Sequence, residues 1–314
     1  MTVKRILLLC LFIFFLLFSI YEGPTSISLK DILQGSPIFW KVRLPRVIHA
    51  FIVGASLSLS GSTLQAILRN PLAEPYLLGI SAGAAVGAVL GVMLGVDWGI
   101  ELSSFAGAIL SFFIVYQLSF YNGFLSSERL LLSGIAVNSF LSAFLGFLLY
   151  FMGQGIHGIL FWLWGGFGLS SWSSVIRILP FFTLFSLLII RYASELNIIL
   201  WGEEHAEQMG VDFNRLVKLL VIVSSLLAAF SVASSGIIGF VGLIVPHMVR
   251  MVISPDHRKL LPFSILLGGG FLAFADALSR ILLSPIEIPV GIITALCGSP
   301  IFIYLLRGKV KNSA

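Results

Sequence analysis

The sequence predicts an all-α membrane protein, a polytopic bundle of about ten transmembrane helices. Three observations predict it. Charged residues make up 11% and hydrophobic residues 58% of the 314-residue chain, whereas a soluble domain carries about 25% charged residues. Apolar runs of about 20 residues recur from end to end, the length a helix needs to cross a bilayer. These runs do not alternate, as the strands of a β-barrel would. Such a composition excludes a soluble enzyme, a disordered chain and a nucleic-acid binder.

The spans are expected near 6–21, 47–68, 76–95, 102–120, 130–151, 174–192, 216–235, 240–253, 262–283 and 288–306. The first follows Lys4-Arg5 and imitates a signal peptide. No small-residue cleavage pattern follows Phe18-Ser19-Ile20-Tyr21-Glu22, and only Leu precedes Cys10, so it reads as a retained span. The second is entered through Arg43-Leu44-Pro45-Arg46, where proline fixes the chain and presents two guanidinium groups at the membrane surface. Pro71 and Pro75 break the chain before the third span, which then carries Gly79, Gly83, Gly87, Gly91 and Gly95 on one smooth ridge. Short loops join the third to fifth spans, as antiparallel neighbours require. The fifth carries Gly134, Asn138, Ser142 and Gly146 in a similar ridge. Ridges of this kind let helices approach closely in lipid. Asn138 and Ser142 are the polar positions that could also line a translocation path.

Residues 153–173 hold Trp162, Trp164 and Trp172, which suit the membrane interface. The sixth span follows. Residues 193–215 then form the largest inward loop, with Glu203, Glu204, His205, Glu207 and Asp212 around a short helix expected between Gly202 and Gly210. The seventh span leads into Gly236-Ile237-Ile238-Gly239, and the eighth is short and contains Pro246. An interrupted span frees backbone groups, which is tolerated only where protein or water satisfies them. The ninth and tenth spans complete an even number, so both termini lie on one side. With the N-terminus inside, thirteen Lys and Arg fall in inward segments and six in outward ones, as the positive-inside rule requires. The net charge of +5 is then mainly topology.

No phosphate loop, H-E-x-x-H, C-x-x-C or G-x-S-x-G motif occurs. Cys10 and Cys297 both lie inside apolar runs and imply neither a disulfide framework nor a metal cluster. His247 and His257 are poorly spaced for a metal site, and each reads as a satisfied or surface histidine. Nothing assembles a nucleophile, a base and an oxyanion hole. An intramembrane enzyme, or an ion-coupled secondary transporter or channel, would need ionisable residues at mid-span, and none is evident.

Several segments, in their order and spacing, resemble the permease subunits of ABC importers for iron–siderophore complexes, haem and vitamin B12, the FecCD family. They are Arg43-Leu44-Pro45-Arg46; Arg69-Asn70-Pro71-Leu72-Ala73-Glu74-Pro75 to Ala84; Leu200-Trp201-Gly202 to Ala206 with Gly210-Val211; Gly236 to Arg250; Ala275-Asp276 to Arg280; and Glu287-Ile288-Pro289-Val290-Gly291 to Pro300. The resemblance covers essentially the whole chain. It implies one permease domain over 1–314 of type II ABC importer architecture, with a coupling loop near 193–215. It implies a multi-pass protein of a bacterial or archaeal cytoplasmic membrane with both termini cytoplasmic. Its partners would be a second permease in a homo- or heterodimer, two cytoplasmic ATPases, an extracytoplasmic binding protein and membrane lipid. No cofactor or metal is expected on this chain, since ATP and Mg would be used by the ATPases.

Residue by residue, the resemblance assigns Arg43, Arg46 and Arg280 to docking of the binding protein. Gly202, Glu203, Glu204, Ala206, Glu207 and Gly210 go to ATPase coupling, and Ser126, Ser127 and Glu128 to an inner gate. Asp276 and Arg280 also have the i,i+4 spacing of a helical salt bridge. An iron–siderophore complex is the expected cargo, with haem and cobalamin as the alternatives.

Overall fold

The structure is a computed structural model describing residues 2–25, 29–96, 99–121, 124–153 and 156–311. Fourteen α-helices follow one another: α1 Thr2–Tyr21, α2 Leu29–Leu33, α3 Leu44–Ile67, α4 Ile80–Met93, α5 Gly99–Leu118, α6 Ser127–Phe151, α7 Ile156–Leu163, α8 Trp172–Arg191, α9 Ala193–Ile199, α10 Glu203–Gln208, α11 Phe213–Ser235, α12 Val241–Val252, α13 His257–Ile281 and α14 Val290–Lys311. Six helical stretches are long and apolar enough to cross a membrane, and four more apolar helices are shorter, over Arg5–Tyr21, Ile80–Met93, Val241–Val252 and Val290–Ile303. The ten together coincide with the ten expected spans. The only strands among the described residues are Phe120–Tyr121 and Phe124–Leu125, a two-residue antiparallel ribbon closing the turn from α5 to α6.

Two span starts and one connecting segment differ from expectation, each for a local reason. The second span starts earlier: a π-helical stretch over Ile38–Arg43 runs directly into α3. Pro45 stands in the first turn of α3, where its missing N–H would have had no helical acceptor, so it does not break the chain. The third span starts later. Pro75–Leu78 forms a 3-10 turn ended by Gly79 at φ 83°, a backbone region open to glycine, and α4 begins only at Ile80. The aromatic stretch 153–173 contains an additional helix, α7, where only interfacial tryptophans were expected.

The core is built around α3. Of its 24 residues, 21 are buried, because α13, α11, α12, α1 and α8 all pack on it. Small residues allow this. A Cβ on Gly54 would overlap the Gly268 carbonyl of α13, and one on Gly61 would overlap the Gly242 carbonyl of α12. Apolar area alone gives little drive for helix association in lipid, so such close backbone approach and hydroxyl bonds must supply it. Ser60 Oγ donates to the Ser224 carbonyl of α11 at 2.8 Å, while Ser62 and Thr63 donate back to α3 carbonyls. The glycine ridge of the third span packs as expected from Gly79 to Gly91, while Gly95 lies past the end of α4 and meets open space. Gly83 and Gly87 face Gly107, and Gly87 and Gly91 face Ser103, all on α5. By contrast α6 is the least covered long span, leaving Leu132, Ile135, Phe140, Phe147 and Tyr150 exposed.

Candidate functional site

Charged and broken elements concentrate in three places: at the end of the bundle where α3 begins, at the opposite end around α10, and at a junction of interrupted helices between them.

At the first end, Arg43, Arg46 and Arg280 come together, but not as free surface charges. They are 4%, 8% and 4% exposed. Arg43 donates to the carbonyls of Ile20, Tyr21 and Thr25, and so caps the C-terminus of α1. Arg46 lies between two carboxylates. Its Nε and Nη2 donate to Asp276 at 2.9–3.1 Å, and its Nη1 and Nη2 donate to Glu287 at 3.1 and 2.9 Å. Arg280 Nε pairs with Asp276 Oδ2 at 3.2 Å, and its Nη1 and Nη2 donate to the Glu22 and Ser19 carbonyls. The i,i+4 salt bridge read from the sequence is therefore present, within a larger network. The expectation that Arg43 and Arg46 present open guanidinium groups is corrected. A buried cation must be paired, and this network pairs each one internally.

At the opposite end, a helix stands between Gly202 and Gly210 as expected. Gly202 has φ 104° and Gly210 φ 80°, which sharply redirect the chain on either side of α10. Ala206 is buried beneath α10, and Glu203, Glu204 and Glu207 are exposed. Trp201, 78% exposed, and Met209, also exposed, flank the acidic edge. Asn214 Nδ2 donates to Glu203 at 2.9 Å. This loop is fastened to the start of α13. Asn197 Oδ1 accepts the His257 N–H and contacts His257 Nδ1 at 2.7 Å, while Asn197 Nδ2 donates to Asp256 at 2.7 Å. Below α13, Asp256 caps the helix through the Arg258 N–H. The Asn197 donor, then the Arg258 N–H and the Arg258 and Lys259 charges, hold the Asp256 carboxyl below the usual carboxylate range despite some desolvation.

Between the ends, the chain segments freed by proline and glycine satisfy one another. Gln65 Nε2 donates to the Gly242 and Ala73 carbonyls, and Gln65 Oε1 accepts from both Nη of Arg250 at 3.2 Å. The Glu74 carboxyl lies beside the backbone at the start of α12, with Oε1 about 3.8 Å from where a Cβ on Gly239 would stand. Phe240, at φ 69°, adopts a conformation uncommon for a bulky residue. Tyr76 Oη accepts the Ile238 N–H at 3.3 Å. These bonds are the internal satisfaction that a broken span demands.

A family model, the FecCD transport family, matches residues 10–308. The chain belongs to the FecCD transport family. Among relatives, the cobalamin import system permease of Halobacterium salinarum is 45% identical over 92% of this chain and 78% of its own length. The hemin transport system permease of Yersinia pestis is 37% identical over 98% and 96%. The Fe(3+)-citrate import system permease of Bacillus subtilis is 37% identical over 98% and 95%. A solved inward-facing ABC transporter, described as of metal-chelate type, superimposes with TM-score 0.86 at 32% identity, covering 97% of this chain and 98% of that one. This FecCD chain is accordingly a multi-pass permease subunit of an ABC importer, and not an enzyme.

The remaining positions singled out in the FecCD sequence have local structural duties. Ser126 is the N-cap of α6 and accepts the Arg129 N–H at 3.4 Å, with Ser127 and Glu128 in the first turn. Asn138 Nδ2 donates to the Tyr76 carbonyl at 2.9 Å and so fastens α6 to the 3-10 turn, while Ser142 is exposed. Sequence reasoning missed Asn197 and the partnership of Glu287 with Arg46. It also left unexplained why glycines recur after α7. Gly165, Gly236 and Gly291 meet where the ends of α7 and α11 touch the start of α14, and a Cβ on Gly165, Gly236 or Gly291 would strike a neighbouring carbonyl.

Proposed function

We propose that this permease forms one half of a dimer that imports a metal chelate by alternating access, driven by two separate ATPases. The α10 end faces the cytoplasm together with both termini, and the arginine end receives an extracytoplasmic binding protein. The observation that carries the reading is α10 itself. It exposes Glu203, Glu204 and Glu207 beside Trp201, an acidic edge with an aromatic anchor, which suits a basic groove on a partner. Its root is hydrogen-bonded through Asn197 to α13. ATP-driven closure of the ATPase pair would move α10, carry α13 with it, and shift the population between inward- and outward-open states. ATP and Mg act at the partners, and this chain contributes no cofactor site.

Docking at the arginine end proceeds by exchange. Glu287 is 42% exposed at its side chain and holds the outer edge of Arg46. A carboxylate on the binding protein can replace it there, while Asp276 keeps Arg46 in position. Ser126, Ser127 and Glu128 stand where the inner gate would close, and Asn138 and Ser142 on the sparsely covered α6 border the path.

For the cargo, two permeases named for cobalamin or vitamin B12 import are 45% and 38% identical to this chain, against 37% for those named for hemin and ferric citrate, while a Bacillus subtilis permease at 43% carries no named cargo. This favours a corrinoid over the iron–siderophore complex expected from the family at large. The test is uptake into proteoliposomes holding the permease, its ATPase and its binding protein, with labelled cyanocobalamin, haem and ferric chelates supplied separately. ATP-dependent accumulation of cobalamin alone supports the corrinoid reading. Accumulation of a ferric chelate or haem instead reassigns the cargo. Uptake that persists without ATP overturns the importer mechanism.

A further inference from the structure

A cavity of about 1310 Å³ opens among α3, α5, α7, α8, α11 and the start of α14 at the arginine end, sharing Arg46 and Glu287 with the docking contact proposed above. No residue of α6 lines it, so it is separate from the face that carries Asn138 and Ser142. Its floor is a stack of three rings, with Phe230 of α11 lying 3.8 Å from Phe181 of α8 and 4.3 Å from Phe105 of α5, centroid to centroid. Its walls α5 and α8 leave apolar side chains open, Leu102 at 48% exposed and Phe181, within the ring stack itself, at 38%. Both walls are helices long and apolar enough to cross a membrane, so lipid is the apolar molecule at hand to fill a hollow between them. Its size exceeds the roughly 300–1,000 Å³ of sites for compact small molecules, which suits a long-chain amphiphile.

The polar groups on the cavity wall are balanced in charge. Arg177 Nη2 of α8 pairs with Glu101 Oε1 of α5 at 2.9 Å across the mouth, and Arg46 with Glu287 stands further along the wall. An anionic head would meet one arginine at the mouth but be repelled by Glu101. A head carrying both a phosphate and an ammonium can insert between the two, with its phosphate on Arg177 and its ammonium on Glu101, leaving neither charge unpaired. Inside, His49 lines the cavity and is 1% exposed, with Nδ1 2.8 Å from Ser170 Oγ and no hydrogen-bond partner for Nε2 among the described residues. The Nε2 atom is itself closed off, so His49 serves the wall as ring surface and not as a donor to an occupant. We propose that this cavity is a binding site for one zwitterionic aminophospholipid of the adjacent leaflet, its acyl chain on the Phe105–Phe230–Phe181 stack and its head between Glu101 and Arg177.

The experiment uses the full-length permease in nanodiscs doped with phosphatidylethanolamine or phosphatidylglycerol bearing a photoreactive group on one acyl chain. Cross-linked positions are mapped by mass spectrometry. Phosphatidylethanolamine is expected to label residues 158–178 and 230–235 preferentially. Ala233→Trp, which fills the cavity from α11, should abolish that labelling without altering labels elsewhere. Glu101→Gln, a change at an exposed ion pair that leaves the core untouched, should lower the phosphatidylethanolamine-to-phosphatidylglycerol ratio at the cavity by about threefold. Labelling spread evenly over all lipid-facing helices, or unchanged by Ala233→Trp, overturns the site. Equal ratios in the parent and Glu101→Gln overturn the head-group assignment. Displacement of the label by the transported chelate overturns the lipid assignment in favour of a cargo subsite.

Discussion

Replacing Asp276 with Asn tests whether the arginine cluster is structural before it is anything else. The Asp276 carboxylate is fully buried and holds two cations. An Asn amide keeps one acceptor oxygen, so Arg46 can retain its two bonds at the Oδ1 position and the two to Glu287 but loses the one to Oδ2, while Arg280 loses its ion pair and keeps its bonds to the Asp276, Glu22 and Ser19 carbonyls. Removing one partner of a buried pair costs about 3–5 kcal/mol, because the remaining charge stays buried and uncompensated. The retained bonds place Asp276→Asn near the lower end, about 3 kcal/mol. Replacing both partners with apolar groups of similar volume is far milder. Arg46→Met with Asp276→Leu should therefore cost at least 2 kcal/mol less than the two single changes summed, roughly the coupling seen for residues in one network. Unfolding by SDS in mixed micelles, monitored on the purified permease, gives all four corners of the cycle. A single change costing under about 0.5 kcal/mol, the range of ordinary surface substitutions, refutes the argument, as does a double mutant equal to the sum.

At the other end, charge reversal of Glu203, Glu204 and Glu207 to Lys should leave the permease folded and weaken co-purification of the ATPase, and unchanged recovery of the complex would count against the coupling role of α10. Asn197→Ala should loosen the α10 loop from α13, lowering transport more than ATPase binding, as uptake and pull-down measured side by side would reveal. The same change should carry a pH signature. The Asp256 carboxyl is lowered in the fold chiefly by Asn197, so the parent's stability advantage is full above the ordinary Asp pKa of 3.8 and shrinks as pH falls through the lowered value. Gly61→Ala should cost about 1–3 kcal/mol by pushing a methyl into the Gly242 carbonyl, whereas Gly146→Ala on α6 meets open space and should be neutral or stabilising by about 0.5–1 kcal/mol. Equal thermal shifts for the two would remove close backbone packing as the reason for the glycines.

These tests separate what was legible in the sequence from what was not. Spans were legible because membrane crossing is a local property: about 20 apolar residues announce it whatever they pack against. Breaks at Pro71 and Pro75 were legible for the same reason, as was the Gly79–Gly91 ridge, whose four-residue repeat already defines a face, whereas Pro246 does not break its span: α12 runs through it and the interruption lies before it, at Gly236–Phe240. The start of α3 was misplaced because Pro45 can either break a helix or open one, and only the preceding π-helical stretch decides. The charge network was legible only in its i,i+4 part. Arg46 and Glu287 are 241 positions apart, and no periodicity relates them. A charge beside a membrane span reads equally well as a solvated anchor, a docking contact or one arm of a buried pair, and the difference lies in which distant helix end it meets.

That ambiguity resolves along one helix. α13 begins at His257, fastened to the α10 loop by Asn197, and ends with Asp276 and Arg280 inside the arginine cluster. From His257 to Asp276 an α-helix rises about 1.5 Å per residue, roughly 30 Å in all, enough to join the two faces of a bilayer. The consecutive Gly268, Gly269 and Gly270 at its middle could look like a hinge. Their surroundings argue otherwise: Gly268 lies on the Gly54 carbonyl and Ser58 of α3, Gly269 on the Phe51 ring and Gly270 on the Phe12 ring. The glycines thus bring α13 against α3 rather than free it to bend. Beyond Pro262, which removes one ladder bond near the start of α13, a displacement imposed at His257 then meets no further soft point before Asp276. Under the proposed coupling, burial of the arginines then has a use that exposure would not supply, because it ties their cluster to α13, the helix whose other end is fastened to the α10 loop.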